Sequence, residues 1–312
     1  MESTQLRVFA AVAQLGSITR AAEALHTVQS NVTMHIKALE GELGVLLLNR
    51  HRRGVSLTRA GEQLLPFAMK SQGVLEAARQ AIAGPDRRPN GLLRLGTLET
   101  TAAIRLPQIV ARFGSKYSDV DLSLTTGTTG SLTQEVLEYR LEGAFVAGPA
   151  LDPEIAAEKM FVEELAIMTT PRITDLRQLA AGDDVKMLVF RQGCSYRVRL
   201  EQILHAAGVE KIKVMEFGTL DGIMGCTAAG LGVTMLPKAL LKTTEHRNKV
   251  RVHTLEPEEA RVETVFIRRK DGFVSPAMAA FLEFARKFSN ERGQGRANGH
   301  ARSTVNGRTK AR

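Results

Sequence analysis

Residues 17–43 read Ser-Ile-Thr-Arg-Ala-Ala-Glu-Ala-Leu-His-Thr-Val-Gln-Ser-Asn-Val-Thr-Met-His-Ile-Lys-Ala-Leu-Glu-Gly-Glu-Leu, and no other stretch constrains the fold as much. Two short helical patterns are separated by a turn too tight for anything but a helix–turn–helix. A helix over 2–15 precedes them, with Leu6, Phe9, Ala10 and Ala13 on one face. Gly16 ends it, and Ser17 is placed as the N-cap of a helix over 18–25. Ala21 and Ala22 are small enough to let two helices cross closely. Thr27 is the best available cap for the third helix.

On a wheel of roughly 100° per residue, Val32, Ile36, Leu39 and Leu43 cluster within about 60° and are predicted to face the core. Ser30, Thr33, Met34 and Lys37 lie opposite, with Gln29 and Asn31 flanking the helix N-terminus. Such a face can hydrogen-bond base edges, touch a thymine methyl and reach a phosphate of double-stranded DNA. Thr19 is grouped with it as a candidate contact. At each single position a merely solvated side chain is the competing reading.

The chain then runs Gly44-Val-Leu-Leu-Leu-Asn-Arg-His-Arg-Arg-Gly-Val-Ser-Leu-Thr58. Arg50, Arg52 and Arg53 beside Gly54 suggest a two-stranded wing with cations at its tip, near a phosphate backbone. A basic loop without that role is the alternative. Thr58 is read as the cap of a long helix over 59–83. Leu64, Ser71 and Ala78 recur every seven residues, as do Ala68, Leu75 and Ile82, which predicts a dimer seam. Pro66 removes one backbone bond from that helix.

Residues 84–91, with two Pro and two Gly between 83 and 91, form the clearest hinge. Beyond it strands and helices alternate, which predicts α/β architecture with largely parallel sheets. Strands are expected over 92–97, 121–126, 143–147, 186–190, 213–217 and 233–236, and helices over 101–117, 131–141, 195–207 and 220–229. The alternation runs twice, with a break near 165–185, as in two small lobes. Residues 290–312 lack apolar periodicity and read as a disordered basic tail.

Charge follows the same division. Residues 1–91 hold 11 Lys/Arg against 7 Asp/Glu, whereas 92–289 hold 25 of each and 290–312 hold 6 against 1. Only the N-terminal part and the tail have an electrostatic reason to approach nucleic acid. No apolar run is long enough for a membrane span, and Met-Glu-Ser-Thr-Gln is no signal-peptide start. Two cysteines make no disulfide framework. A cytoplasmic protein without membrane contact is expected.

Four segments together resemble the LysR-type transcriptional regulators over about residues 1–290. They are Leu6-x-x-Phe9; Gly16-Ser-Ile-Thr-Arg-Ala-Ala-Glu-Ala-Leu-His26; Gln29-Ser-x-Val-Thr-x-x-Ile36-x-x-Leu39-Glu40-x-x-Leu43-Gly44; and Val55-x-Leu57-Thr58-x-Ala60-Gly61. The resemblance implies a winged helix-turn-helix over 1–58, a dimerisation linker helix over 59–83, and a periplasmic-binding-protein-like effector domain over 92–289. Lobe I is expected over about 92–165 plus 270–289 and lobe II over about 166–269. It also implies homodimers or homotetramers on an interrupted palindromic operator, and RNA polymerase as a partner if the protein activates. Three positions depart from the family pattern. Val28 stands where Ser is often the helix cap, Met34 where Arg or Lys is common, and Leu48 where Phe is usual. Met34 removes a phosphate or guanine contact and offers a thymine methyl an apolar one instead.

The resemblance places a small-molecule site between the lobes, with no cofactor and no metal. In α/β sheets ligands bind beyond the carboxyl ends of strands, and helix N-termini there favour anions. The candidates are Thr97, Glu99, Thr100, Thr101, Thr126, Gly127, Thr128, Cys194, Ser195, Arg197 and Thr219. For each hydroxyl, a helix cap is the competing reading. A small anionic effector is expected, although Glu99 favours one that also carries an amine. Cys194, at a helix N-terminus where a thiol pKa is lowered, is the candidate redox position, whereas Cys226 reads as a small buried apolar residue. The seven His form no metal-ligand spacing and no phosphate-cradling loop is present, so an enzyme is not expected.

Overall fold

The computed structural model describes residues 1–51, 54–83, 88–181, 184–191, 193 and 195–303. Three helices open it: α1 (Ser3–Leu15), α2 (Ile18–Ala24) and α3 (Gln29–Leu43). A capping box between Glu2 and Gln5 starts α1, and left-handed Gly16 closes it. The Ser17 hydroxyl accepts from the Arg20 amide and caps α2. At the other end of α2, His26 sits at φ 52°, its amide donates to the Glu23 carbonyl, and the Thr27 amide donates to Ala22. This paired closure uses Thr27 to end α2. Thr27 is therefore not the cap of α3. Val28 holds that position without a side-chain bond, and Thr27 Oγ1 accepts instead from Asn31 Nδ2 at 2.9 Å.

α3 buries Val32, Ile36 and Leu39 completely. Leu43, expected on the same face, is exposed. Gly44 turns left-handed directly after it (φ 68°), and Leu47 and Leu48 enter the core in its place. The wing is the antiparallel hairpin β1 (Leu48–His51) and β2 (Gly54–Leu57). Glu40 Oε1 anchors it by accepting from the Leu47 and Leu48 amides at 2.8 and 3.2 Å. The Val55 amide donates to the Gly16 carbonyl at 2.9 Å, and a Cβ on Gly54 would meet that same oxygen at 2.5 Å. Only glycine lets the wing dock this closely on the α1–α2 turn.

Thr58 caps α4 (Arg59–Ala83) by accepting from the Gly61 amide at 3.1 Å. The seam expected along α4 divides. Leu64 and Ala68, together with Leu65 and Met69, pack on α1 and complete the N-terminal core. Phe67, Val74 and Leu75 remain exposed. The first half of the apolar stripe is taken up by α1, which lies alongside it.

The remainder contains β3 (Gly91–Leu98), α5 (Glu99–Ile104), α6 (Leu106–Lys116), β4 (Val120–Gly127), α7 (Thr129–Leu137), β5 (Gly143–Ala147) and β6 (Ile155–Thr169). It continues with β7 (Val185–Phe190), α8 (Ser195–Ala206), β8 (Ile212–Phe217), α9 (Leu220–Ala228), β9 (Thr234–Pro237), β10 (Arg251–Thr254), α10 (Pro257–Ala260), β11 (Arg261–Arg269) and α11 (Pro276–Ser303). The helix expected over 101–117 is two helices, because Pro107 opens α6 and the chain breaks at Arg105.

Parallel pairing holds for β3 with β4 and β5, and for β7 with β8. Antiparallel strands join the lobes, contrary to the largely parallel expectation. β6 runs antiparallel to β11 along its first half and to β9 and β10 along its second. β11 also pairs with β5, so residues 261–269 belong with lobe I rather than lobe II. α11 runs past the expected boundary at 290 to Ser303.

Lobe I is filled by aromatic rings. Phe113 and Phe281 meet edge to face at 5.2 Å, and Phe145 and Phe266 at 5.0 Å. Beside them, Arg105 leaves the α5–α6 break and donates to Glu163 of β6 through Nε at 2.7 Å and Nη2 at 2.9 Å. Both side chains are buried, and the guanidinium lies 5.4 Å from the Phe161 ring centroid. Breaking one side of such a pair leaves a buried charge alone. Glu163→Ala is expected to lower the urea unfolding free energy by about 3–5 kcal/mol, and Arg105→Met with Glu163→Met to restore most of it.

Candidate DNA-reading face and effector cleft

α3 presents Gln29, Ser30, Met34 and Lys37 as exposed side chains, with Thr33 half-buried between them. Met34 is 56% exposed. Thr19, in the first turn of α2, is also exposed. Arg50 is exposed on β1, whereas Arg52 and Arg53 lie outside the described residues. The face therefore holds neutral donors and acceptors, one thioether and one ammonium, flanked by the wing guanidinium. That set suits base edges and a phosphate and has no acid to repel either.

The cleft between the lobes has a volume of about 390 Å³. Glu99, Thr100, Thr126, Gly127, Thr128 and Ser195 line it, as the sequence suggested. Four other candidates do not. Thr97 and Thr101 are buried, with the Thr97 hydroxyl donating to the Leu98 carbonyl. Arg197 is held by Glu216 at 2.9 Å. Thr219 is the N-cap of α9, accepting from the Gly222 amide. Cys194 lies outside the described residues. Thr128 lines the cleft while also capping α7 through a reciprocal box with Ser131.

Sequence reasoning passed over Phe190, Arg191, Tyr196, Phe217 and Gly218, which line the lobe II side. Their signal was position. Phe190 and Phe217 end the parallel strands β7 and β8, the same carboxyl-end rule that selected the threonines of lobe I. The lobes touch across the cleft rim, where a Cβ on Gly193 would lie 2.7 Å from Thr128 Oγ1. Cys226 packs against apolar residues of lobe II as a free thiol but is half-buried rather than buried.

A larger hollow of about 920 Å³ separates α1 and α4 from lobe I. The two halves are joined beside it. Asp271 accepts from Lys70 of α4 at 2.6 Å, from the Tyr139 hydroxyl at 3.0 Å and from Arg269 Nε at 2.7 Å. The Arg269 guanidinium lies 4.5 Å over the Tyr139 ring. Arg269 first, and Lys70 second, hold the Asp271 carboxyl far below the usual carboxylate range. Burial in turn raises the Tyr139 hydroxyl. Among the described residues no group of three or more His, Cys, Asp or Glu could hold a metal, and no helix is long and apolar enough to cross a membrane.

These parts define a regulator with a winged helix-turn-helix, a long connecting helix and a two-lobed ligand-binding domain. Residues 3–62 match the family described as "Bacterial regulatory helix-turn-helix protein, lysR family", and residues 86–289 match "LysR substrate binding domain". The HTH-type transcriptional regulator GltR of Bacillus subtilis (strain 168) is 43% identical over 281 residues, covering 90% of this chain and 95% of GltR. A full-length OxyR variant from Pseudomonas aeruginosa shares the fold, with a TM-score of 0.75 at 22% identity, over 93% of this chain and 94% of that one. Full-length CbnR in complex with its target DNA is similar with a TM-score of 0.58 at 25% identity, over 92% and 100% of the two chains. The chain belongs to the LysR family: it is a transcriptional regulator with a DNA-binding and an effector-binding domain, and not an enzyme.

The Asp271 junction titrates with a defined sign. Its lowered carboxyl contributes stability that is complete above the unfolded value near pH 4 and is lost as pH falls below it. The melting-temperature gap between the wild type and Asp271→Asn is therefore expected to shrink as pH is lowered from 6 to 3, followed by circular dichroism.

Proposed function

We propose that α3 reads a double-stranded operator in the major groove, with Ser30, Thr33 and Met34 at base edges and Gln29 at the helix entry. Lys37, Thr19 and the wing arginines Arg50, Arg52 and Arg53 contact phosphates and set the register. The observation that carries this reading is the composition of the exposed α3 face, which opposes a fully buried Val32–Ile36–Leu39 row. CbnR, solved in complex with its target DNA, supports the docking mode.

A small effector with an anionic group occupies the cleft between the lobes, where Arg191 supplies the cation. Its binding alters operator occupancy or promoter activation. The protein acts as a homodimer or homotetramer in the cytoplasm, with Phe67, Val74 and Leu75 of α4 as apolar surface for a second copy. Where it activates, RNA polymerase is the further partner.

Two measurements test the DNA part. Footprinting of the DNA upstream of the protein's own gene is expected to show a protected interrupted palindrome, whose pattern changes when an effector is present. Lys37→Ala is expected to weaken binding to all sequences alike and to reduce the salt slope by about one. An unchanged slope would remove Lys37 from the phosphate contacts.

A further inference from the structure

The inter-lobe cleft holds two opposite charges that do not meet each other. Glu99 of α5 faces it from lobe I and Arg191, directly after β7, from lobe II. Neither side chain forms an ion pair or hydrogen bond with a described residue, although nearby charges such as Arg197 and Glu216 are paired. The Thr100 hydroxyl, on a residue only 3% exposed, also lines the cleft without a hydrogen-bond partner among the described residues. Phe190 and Phe217 line the same cleft. A lone carboxylate in a cleft repels an anion, and a lone guanidinium repels a cation. A ligand carrying both signs meets both groups at once, and each contact then becomes charge-assisted. The volume of about 390 Å³ is at the lower end for small-molecule sites of roughly 300–1,000 Å³, so the ligand is small.

We propose that the cleft takes a zwitterionic α-amino acid with an uncharged apolar side chain, its ammonium on Glu99, its carboxylate on Arg191, and its side chain against Phe190 and Phe217. A simple monocarboxylate leaves Glu99 unpaired and repelling. A simple amine does the same for Arg191. A dicarboxylate or a dicationic amino acid brings a second like charge to one wall. This assignment rests on the cleft being the effector site and specifies what fills it.

The test is calorimetric titration of the full-length protein with the twenty amino acids, then with the des-amino acid and the decarboxylated amine of each that binds. At least one apolar amino acid is expected to bind, with both analogues weaker by about 10- to 100-fold, as for loss of one charged hydrogen bond. Glu99→Gln is expected to bring the amino acid down to the affinity of its des-amino analogue. Arg191→Gln is expected to bring it down to that of the amine. Thermal melts confirm that both variants remain folded. A des-amino acid that binds as tightly as the amino acid, sensitive to Arg191→Gln but not to Glu99→Gln, overturns the zwitterion assignment and leaves the cleft as an anion site. Failure of every amino acid to bind also overturns the assignment. Amino-acid binding that both variants leave intact overturns the cleft reading as well.

Discussion

One antiparallel pair, β6 with β11, holds the sensing half together. β6 is the only strand described here that is shared by both lobes: its first half lies in the sheet of β3, β4 and β5, and its second half carries β9 and β10. The cleft lies between the lobes that this strand joins. The buried Arg105–Glu163 bridge sits at the middle of β6. Strand crossings of this kind serve as hinges because small changes in a few residues rotate whole lobes.

α7 connects this cleft to the DNA-binding half. Its N-cap, Thr128, lines the cleft, and Tyr139, just past its C-cap, donates to Asp271. Asp271 in turn holds Lys70 on the long helix that continues from the wing. Tyr139 also packs against the N-terminal core itself. A nine-residue helix thus places one end at the ligand site and the other at the domain junction.

Much of the N-terminal half was legible in the sequence because local chemistry dictates it. Gly16, Ser17 and Thr58 do what their residue types suggest, and Glu40 and Gly61 explain why those types stand in the motif. Glu40 caps the entry to the wing, and a Cβ on Gly61 would sit 2.2 Å from the Leu47 carbonyl. Errors arose where tertiary packing overrode pattern. Leu43 has the right angle on the wheel but follows the core rather than entering it. Leu64 and Ala68 of the α4 heptads pack into the N-terminal core beside α1. β6 was invisible because Glu158, Glu163 and Glu164 interrupt its apolar alternation, and a register shift bends its partner β11. In the cleft, strand ends pointed to the correct loops. Whether a given hydroxyl faced ligand, capped a helix or was buried was decided by lobe packing, which separates Thr100 from Thr97 and Thr101.

The neutrality of residues 92–289, with 25 charges of each sign, bears on how copies share one duplex. Proteins bound side by side along DNA bring like surfaces within a Debye length of about 8–10 Å, where net charge on each would push the copies apart. The excess positive charge of residues 1–91 is compensated by the phosphates on which it rests. Wherever copies sit side by side on one duplex, residues 92–289 therefore add no net Coulomb repulsion between them.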